Sequence, residues 1–262
     1  MLRSRITPCL LVHKKGLVKT VNFRDPKYVG DPINAVKIFN EKEVDELIVL
    51  DIDATIEGRD PDFEMIRNLA IECRMPFCYG GGIKTSQQAK KIISLGAEKV
   101  AISSAAISNI EILIEIGQAI GMQSVVVVLD IRRRKSLLGV GGYEIVTHNA
   151  KNIAKVKLTE LVTQLNEIGV GEIVINSVDN DGNMEGFDYQ LIDIVRENSD
   201  LPLTILGGAG KIDDLKEAIE RYKTIGVSAG SLFVFKGKFR AVLINYPSFE
   251  DRKKLYQLEK SK

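Results

Sequence analysis

Eight short apolar segments recur along this chain, and polar segments with helical periodicity separate them. The apolar segments are residues 5–12, 46–53, 76–82, 99–103, 124–131, 172–178, 201–208 and 224–230. Most lack strict polar–apolar alternation and are rich in Val, Ile and Leu, which is typical of parallel strands buried on both faces. The helical segments include 31–43, 86–96, 158–169 and 213–222. Eight β-α units in 262 residues favour an α/β fold of the (β/α)8 TIM-barrel type over an open doubly wound sheet.

The second half of the chain resembles the first. Residues 78–106 are similar to residues 205–233 at an offset of 127 residues, and residues 47–53 are similar to 172–178. An offset of about half the chain is expected of a barrel built from two half-barrel repeats. General similarity among β-α units is the alternative, but a glycine cluster shared at one phase favours the half-barrel repeat. Because no Pro-, Gly- or Ser-rich linker divides the chain, we expect a single domain over 1–262.

Charge and cysteine content exclude several classes of function. The net charge of +1 gives no overall field that would attract nucleic acid or a membrane. One dense basic run, "IRRRK" (131–135), precedes Gly139 and has no interleaved aromatics, so a solvated loop is expected. Cys9, Cys73 and Cys78 form no metal-ligand pattern and suit a reducing compartment. No segment approaches 18 apolar residues, so we expect a cytoplasmic protein. Because the sequence shows no cluster of metal ligands, we expect no metal, and we expect no cofactor.

Two glycine clusters end strands at corresponding points of the repeat. They are Gly80 to Gly82 and Gly207 to Gly210, and small or hydroxyl residues end the strands that follow (103–104 and 229–231). Glycines let the backbone approach a ligand, and helix starts can bind phosphate. The pattern predicts two phosphate cups at the C-terminal face of the barrel, where barrel enzymes bind ligands. Tight turns alone are the alternative, but two clusters in phase favour a small-molecule substrate with two phosphates.

Several carboxylates stand at predicted strand ends. Among them, Asp130 follows the apolar run "VVVVL", where a charge is costly unless it is paired or functional. It is therefore the leading candidate for a general acid or base, and a helix cap or ion pair with the following arginines is the alternative. Residues 13–19 are predicted to form a basic turn, with Lys19 in reach of an anionic substrate. His13 and His148 are predicted loop residues to which we assign no catalytic role.

Together these segments resemble the HisF family, the cyclase subunit of imidazole glycerol phosphate synthase. The resemblance covers essentially the whole chain and includes "NFRDPKYVGDP", "DELIVLDI", "LDIRR", "DNDGNMEGFD", "GGAGK" and "SAGSLF". It implies a (β/α)8 barrel that receives ammonia through its core from a class I glutaminase partner (HisH-like) at its N-terminal face. At the opposite face the ammonia would react with PRFAR to give imidazole glycerol phosphate and AICAR, a step shared by histidine and purine metabolism.

The resemblance also assigns roles to individual residues. Asp130 matches one of the two catalytic aspartates of the family. Substrate- and phosphate-binding positions are matched by Lys19, Asp51, Gly82, Ser104, Asp181, Gly182, Gly208 and Ser231. A charged ring that gates the ammonia tunnel is matched by Arg5, Glu46, Lys99 and Glu172. Without the resemblance, these four charges would be interpreted as a buried layer of salt bridges.

One departure from the HisF pattern falls on the first catalytic aspartate. Where the family has "CLDV", this chain has "CLLV" and carries Leu11, which cannot transfer a proton. Leu206, Asn176, Ser103 and Asn183 also differ from common family residues. Since the changes gather at the active face while the charged ring is kept, we expect a diverged HisF paralogue.

Two other functions remain as alternatives. The first is a subunit without cyclase activity that conducts ammonia to a sugar amidotransferase, which converts an acetamido to an acetamidino group in surface polysaccharide (lipopolysaccharide) biosynthesis. The second is an isomerase of the related HisA type, which is also a half-barrel duplicate. That type would require an aspartate on the first strand too, so Leu11 counts against it.

Overall fold

The computed structural model describes residues 3–134 and 141–258, so Lys135 and Gly139 of the basic region lie outside the described residues. The strands of the described chain are, in order, β1 (Arg5–His13), β2 (Gly16–Val21), β3 (Arg24–Gly30), β4 (Leu47–Asp51), β5 (Phe77–Gly80), β6 (Lys99–Ile102), β7 (Val125–Arg133), β8 (Tyr143–Thr147), β9 (Asn152–Ile153), β10 (Glu172–Ser177), β11 (Leu203–Leu206), β12 (Gly226–Ala229), β13 (Phe235–Lys236) and β14 (Ala241–Val242). Eight of them form a closed parallel barrel in the order β1-β4-β5-β6-β7-β10-β11-β12, and β12 pairs with β1. The predicted (β/α)8 barrel is confirmed.

Helices surround the barrel. In chain order they are α1 (Pro32–Glu41), α2 (Phe63–Glu72), α3 (Ser86–Ser94), α4 (Ser104–Ser108), α5 (Glu111–Ile120), α6 (Leu158–Ile168), α7 (Tyr189–Asn198), α8 (Ile212–Tyr222), α9 (Ser231–Val234) and α10 (Phe249–Gln257), with a 3-10 turn at Met122–Ser124. Side-chain caps begin several of these helices. A reciprocal capping box joins Thr85 and Gln88 at the start of α3, and Asp31 caps α1 ahead of Pro32. Across the described residues, none of the helices has the length and apolar character needed to span a membrane.

The barrel separates two apolar cores. The larger core lies between the strands and the helices and includes Phe39, Leu69 and Val127. A smaller core fills the barrel interior, and its buried members are Cys9, Ile48, Cys78, Ala101, Val126, Val128, Val174 and Leu206. Parallel strands in such a barrel are apolar on both faces, which explains why the sequence segments lack strict alternation.

The eight predicted strands and the four predicted helices are confirmed, with ends shifted by up to two residues. The predicted basic turn over 13–19 is wrong, because only Lys14 and Lys15 form the turn. Both have positive φ, and the chain then continues as β2, which pairs antiparallel with the end of β1. A two-residue hairpin turn suits the strand twist, and the apolar Leu17 and Val18 extend the strand. Lys19 therefore lies within a strand.

Two hairpins stand on the C-terminal face, one after the first barrel strand and one after the fifth. Strands β2 and β3 extend β1, and β8 and β9 extend β7. Asn22 of the first hairpin donates to the carbonyls of Val178 and Asp179, after the sixth barrel strand. Asn149 of the second donates to the carbonyl of Ile52, after the second barrel strand. These equivalent attachments show the half-barrel repeat in three dimensions.

Candidate active site

A cavity opens at the C-terminal face of the barrel, between the two hairpins. Seven of the predicted site residues line it: Lys19, Asp51, Gly82, Ser104, Asp130, Asp181 and Ser231. Gly182 and Gly208 are absent from its lining. We refer to this space as the top cavity. Residues from almost every barrel strand converge there because the carboxyl ends of parallel strands meet at one face.

Asp130 lies near the C-terminal end of β7, with its side chain partly exposed to the top cavity. Burial raises the pKa of the Asp130 carboxyl to about 7, and nearby Asp181 adds to the rise. A hydrogen bond of 3.0 Å from Asn176 Nδ2 to Asp130 Oδ1 opposes it. A carboxyl group that titrates near neutral pH can both accept and donate a proton there, which is what general acid–base chemistry requires.

Leu11 lies on β1 and also lines the top cavity. It pairs in register with Leu50 of β4 and Val18 of β2, and its half-buried side chain packs at the upper end of the barrel interior. The surroundings are apolar on this side. Asp130, on β7, therefore lies across the barrel from β1, which carries no proton-transfer group at position 11.

Lys19 supplies a buried cation to the top cavity. Its Nζ donates to the Cys9 carbonyl at 2.6 Å, and burial lowers the pKa of Lys19 despite the opposing influence of Cys9 and Asp181. The ammonium also lies beside Gly230, where a Cβ atom would be 2.4 Å from Nζ. Gly230 therefore leaves room for this cation next to Ser231.

Asp181 is tied to the first hairpin. Its Oδ2 accepts a hydrogen bond of 2.8 Å from Thr20 Oγ1, and burial raises the pKa of Asp181 although Thr20 and Lys19 act in the opposite direction. The neighbouring Gly182 has a φ of +73° and would place a Cβ 2.1 Å from the Thr20 carbonyl. Gly182 thus allows close packing of two backbone segments rather than lining the cavity.

Asp51 organises the loop after β4. Its carboxylate accepts hydrogen bonds from the backbone N–H groups of Asp53 and Ala54 and from two guanidinium nitrogens of Arg59, at 3.0 to 3.2 Å. Hydrogen bonds to Asp51 and to Glu57 raise the pKa of Arg59 above its ordinary value. With both oxygens occupied, Asp51 shapes the rim of the cavity.

The two predicted phosphate cups differ in the structure. Gly81, Gly82, Ser103 and Ser104 of the first cup all line the top cavity. In the second, Gly208 faces the loop after β10: a Cβ on Gly208 would lie 2.0 Å from the Gly186 carbonyl, and the Gly186 N–H donates to the Gly208 carbonyl. Of the residues assigned to the second cup, Gly230 and Ser231 reach the cavity lining.

The charged ring closes the opposite, N-terminal end of the barrel. Arg5 contacts Glu46 at 3.1 Å and Glu172 at 2.7 Å, and Lys99 contacts Glu46 at 2.6 Å and Glu172 at 2.9 Å. Burial and Glu172 raise the pKa of Glu46. For Glu172 burial acts in the same direction, but Lys99, Arg5 and a hydrogen bond from Thr204 outweigh it and lower the pKa. Each cation thus neutralises both carboxylates.

His148 and Asn149 line the top cavity, although no role was predicted for either. They occupy the β8–β9 turn with Ala150, and all three have positive φ, at 54° to 60°. Such a conformation is uncommon for residues other than glycine and is often found at functional sites. The Asn149–Ile52 hydrogen bond fixes the turn over the cavity. The hairpin signal in the sequence, a "HNAK" turn between two apolar runs, is weak because it contains no glycine.

Within residues 3–134 and 141–258, no group of three or more His, Cys, Asp or Glu side chains is arranged to hold a metal ion. The arrangement instead joins one buried cation, a glycine–serine cradle and a carboxyl group that titrates near pH 7. Fold and site together define a protein of the (β/α)8-barrel enzyme class, with a cavity at its C-terminal face that a buried cation, glycines, hydroxyls and carboxyl groups line.

Comparison with known proteins places this enzyme in a family. Residues 5–240 match the profile described as "Histidine biosynthesis protein". A Vibrio vulnificus protein named "Putative imidazole glycerol phosphate synthase subunit hisF3" is 51% identical over 98% of both chains. A Pseudomonas aeruginosa protein, "Putative imidazole glycerol phosphate synthase subunit hisF2", is 51% identical over 94% of this chain and 97% of its own. "Imidazole glycerol phosphate synthase subunit HisF" of Exiguobacterium sibiricum is 39% identical over 84% and 86%. The chain belongs to the histidine-biosynthesis protein family, and its resemblance to HisF is confirmed.

Proposed function

We propose that this chain is a HisF-type synthase subunit that uses ammonia to convert a phosphorylated substrate, in a form diverged at its active face. The observation that carries the proposal is the top cavity itself. It combines Asp130, whose pKa lies near 7, with Lys19 and the first glycine–serine cup, directly above the barrel interior. Acid–base and anion-binding groups are thus joined in one space.

The names of the relatives support this function. Those at 48% to 51% identity are called "putative" HisF, hisF2 or hisF3 subunits of imidazole glycerol phosphate synthase. Relatives named HisF without that qualifier are 34% to 39% identical. This difference agrees with a diverged paralogue. None of these names describes a sugar amidotransferase system, so the cyclase-type function is favoured over the ammonia-conduit alternative.

The substrate that we assign is PRFAR, which carries two phosphates. One phosphate would be held by Gly82 and Ser104, and the other by Ser231 with Lys19 beside it. Gly208 and Gly182 would contribute to the second site only if the loop after β10 moves, because Gly186 packs against Gly208. Asp130 would transfer protons during ring closure, and Asp51 and Asp181 would orient the cavity rim and the first hairpin.

The charged ring would admit ammonia from a class I glutaminase docked at the N-terminal face. Lys99 contacts both Glu46 and Glu172, so moving this one side chain would open the ring. We expect a HisH-like glutaminase to co-purify when both genes are expressed together. Lys99→Ala should alter ammonia transfer more than docking, measured as glutamine-dependent turnover against complex affinity. Recovery of a solitary chain from co-expression would contradict the docking proposal.

The central experiment is turnover of PRFAR with saturating ammonium salt, which bypasses the glutaminase. We expect slow formation of imidazole glycerol phosphate and AICAR by the wild type, since one of two proton-transfer groups is missing. Asp130→Asn should reduce the rate by a further ~100-fold or more. Absence of turnover together with intact PRFAR binding would contradict the cyclase function and support the conduit alternative. An unchanged rate in Asp130→Asn would remove Asp130 from the mechanism.

A further inference from the structure

Asn176 lies on β10 directly beside Asp130 in the barrel register. It is buried, with 6% of its surface exposed, and it lines the top cavity. Its Nδ2 donates to Asp130 Oδ1 at 3.0 Å. The amide orientation follows from this contact, because a carboxylate oxygen accepts hydrogen bonds and the amide nitrogen is the end that donates them.

The other end of the same amide is free. Asn176 Oδ1 is buried and has no hydrogen-bond partner in the part of the chain that the structure describes. Buried polar atoms are nearly always paired, so a lone acceptor here points to a group that is bound during function. Gly207 leaves the space beside this oxygen open, because a Cβ on Gly207 would lie 2.9 Å from Oδ1.

The position of Asn176 along β10 indicates what kind of bound group could donate a hydrogen bond to its Oδ1. Alternate residues of a strand share one face, so Glu172, Val174 and Asn176 follow one another along the barrel interior. Four residues of strand span about 13 Å. Val128 and Leu206 are also apolar members of this inner core. On this strand Asn176 is therefore the first hydrogen-bonding side chain above the charged ring.

We infer that Asn176 is a positioning residue with two separable tasks: its Nδ2 holds Asp130, and its Oδ1 accepts a hydrogen bond from ammonia that reaches the top cavity. The inference rests on the proposed function for its second task and on the geometry alone for its first. Ammonia is a small N–H donor, and it would be held next to the carboxyl group that handles protons. Among the described residues, Asp181, after β10, is the charged group that acts on Asp130. Lys19, on β2, acts in turn on Asp181, and both stay unchanged in the variants below.

The first task is tested by titrating Asp130 with 13C carboxyl NMR in the absence of substrate. The amide hydrogen bond stabilises the carboxylate, so Asn176→Leu should raise the pKa of Asp130, and Asn176→Asp should raise it further by like charge. Ile175→Val, on the same strand but in the outer core, should leave the titration unchanged. An unchanged Asp130 pKa in folded Asn176→Leu would overturn the holding role.

The second task is tested by ammonium-dependent turnover of PRFAR. Loss of one neutral hydrogen bond should raise KM for ammonium about 2- to 10-fold in Asn176→Leu, with KM for PRFAR unchanged. Asn176→Asp keeps acceptor oxygens and should restore KM for ammonium while its pH–rate profile stays shifted. If KM for PRFAR rises instead, the free oxygen binds the substrate and the ammonia assignment is wrong.

The Asp130 titration and the turnover assay distinguish failure of this inference from failure of the proposed function. If wild-type turnover of PRFAR is absent, the cyclase function fails, and with it the ammonia-accepting task. The Asp130 titration then still decides whether Asn176 holds Asp130. If turnover is present and neither the Asp130 pKa nor KM for ammonium responds to Asn176→Leu, the proposed function stands and this inference fails.

Discussion

At the scale of single residues, the proposed chemistry depends on Leu11 and Asp130. A leucine side chain packs beside Leu50 at the position where HisF proteins carry an aspartate, and it contributes apolar contact instead of proton transfer. Asp130 remains, and Asn176 donates to it. In the proposed function, Asp130 is the proton-transfer group, and burial raises its pKa to about 7.

Introducing the missing carboxyl group should recover part of the cyclase rate. General acid or base assistance contributes about 100- to 10,000-fold, so Leu11→Asp should speed PRFAR turnover with ammonium at least ~10-fold. Recovery should stay incomplete because Leu206 and Asn176 also depart from the family pattern. The substitution should cost about 1–3 kcal/mol of unfolding free energy, since it buries a carboxylate among apolar groups.

Leu50→Asp is the matched control, because Leu50 pairs with Leu11 in register and lines the same cavity. It should lose similar stability in urea unfolding without a gain in rate. Equal acceleration by both variants would show that the position of the carboxyl group is irrelevant. Wild-type turnover near that of two-aspartate relatives would mean that Leu11 causes no deficit.

The raised pKa of Asp130 predicts a specific pH dependence of stability. The folded state binds the Asp130 proton up to about pH 7, whereas the unfolded chain releases it near pH 4. Its contribution to the unfolding free energy therefore falls as pH rises from 4 to 7, by roughly 2–4 kcal/mol. The amide that replaces the carboxyl group in Asp130→Asn does not titrate. The free energy of unfolding of the variant should therefore increase relative to that of the wild type as the pH rises from 4.5 to 8. Parallel urea-unfolding profiles for the two proteins would contradict the raised pKa.

Loops and hairpins decide the geometry at the scale of elements. Each half-barrel sends one hairpin over the top cavity, and an asparagine side chain attaches each hairpin to a loop of the other half, Asn22 to the loop after β10 and Asn149 to the loop after β4. The glycine clusters serve different purposes in the two halves. Those after β5 face the cavity, and Gly208 packs against the loop after β10.

Gly82 provides a test of the first cup. Its φ of +73° disfavours any side chain, and a Cβ would lie 2.7 Å from the Arg59 carbonyl. Gly82→Ala should therefore displace the Asp51–Arg59 loop and weaken PRFAR binding ~10-fold or more, measured by calorimetry. Gly58→Ala carries similar backbone strain at a φ of +68° but meets no atom within 4 Å. It should lose only about 1 kcal/mol of stability and keep its affinity. Equal affinity of both variants would separate Gly82 from ligand binding.

The charged ring and the barrel closure belong to the scale of the whole molecule. Four residues from β1, β6, β10 and the approach to β4 meet only because the sheet closes on itself. Their ion pairs are largely buried, so each charge depends on its partners. Breaking such a network by removing one partner leaves uncompensated buried charge.

Lys99→Met should therefore cost about 3–5 kcal/mol at pH 8, because the two buried carboxylates of Glu46 and Glu172 would share a single cation, that of Arg5. Removing Lys99 raises the carboxyl pKa values in the folded state, so the loss should shrink as pH falls toward 5 and a carboxylate takes up a proton. Lys216→Met removes an exposed ion pair with Glu220 and should change stability by less than about 1 kcal/mol at either pH. A pH-independent loss in Lys99→Met would argue that packing, and not charge, explains the effect.

Single-domain organisation over 1–262 remains a prediction. If one closed barrel organises the chain, urea unfolding should show a single transition with coincident far-UV circular dichroism and intrinsic tyrosine fluorescence. Two separated transitions would indicate half-barrels that unfold independently. The half-barrel repeat makes this a meaningful alternative, because each half brings its own strands, helices and hairpin.

Local features of the sequence were sufficient for much of the fold. The apolar segments located every barrel strand to within a few residues. A parallel strand that is buried on both faces is apolar along its length, so each strand can be recognised from its own residues. The in-phase glycine clusters located the backbone after β5 that lines the top cavity, and the family pattern isolated Leu11 as a departure. Residues 13–19 were misjudged because a two-residue lysine turn carries none of the usual glycine or asparagine signals.

What the sequence by itself determined was therefore the barrel, its repeat, the family and the residue types available at the strand ends. Which of these strand-end residues contact one another was decided by the tertiary structure alone. The Asn176–Asp130 hydrogen bond depends on the register between β7 and β10, and the placement of His148 and Asn149 depends on where a hairpin folds back. Gly182 and Gly208 carry the family pattern yet pack against backbone. The physical reason is that periodicity records which face of a segment is buried, whereas contacts between segments distant in the chain arise only when the barrel closes.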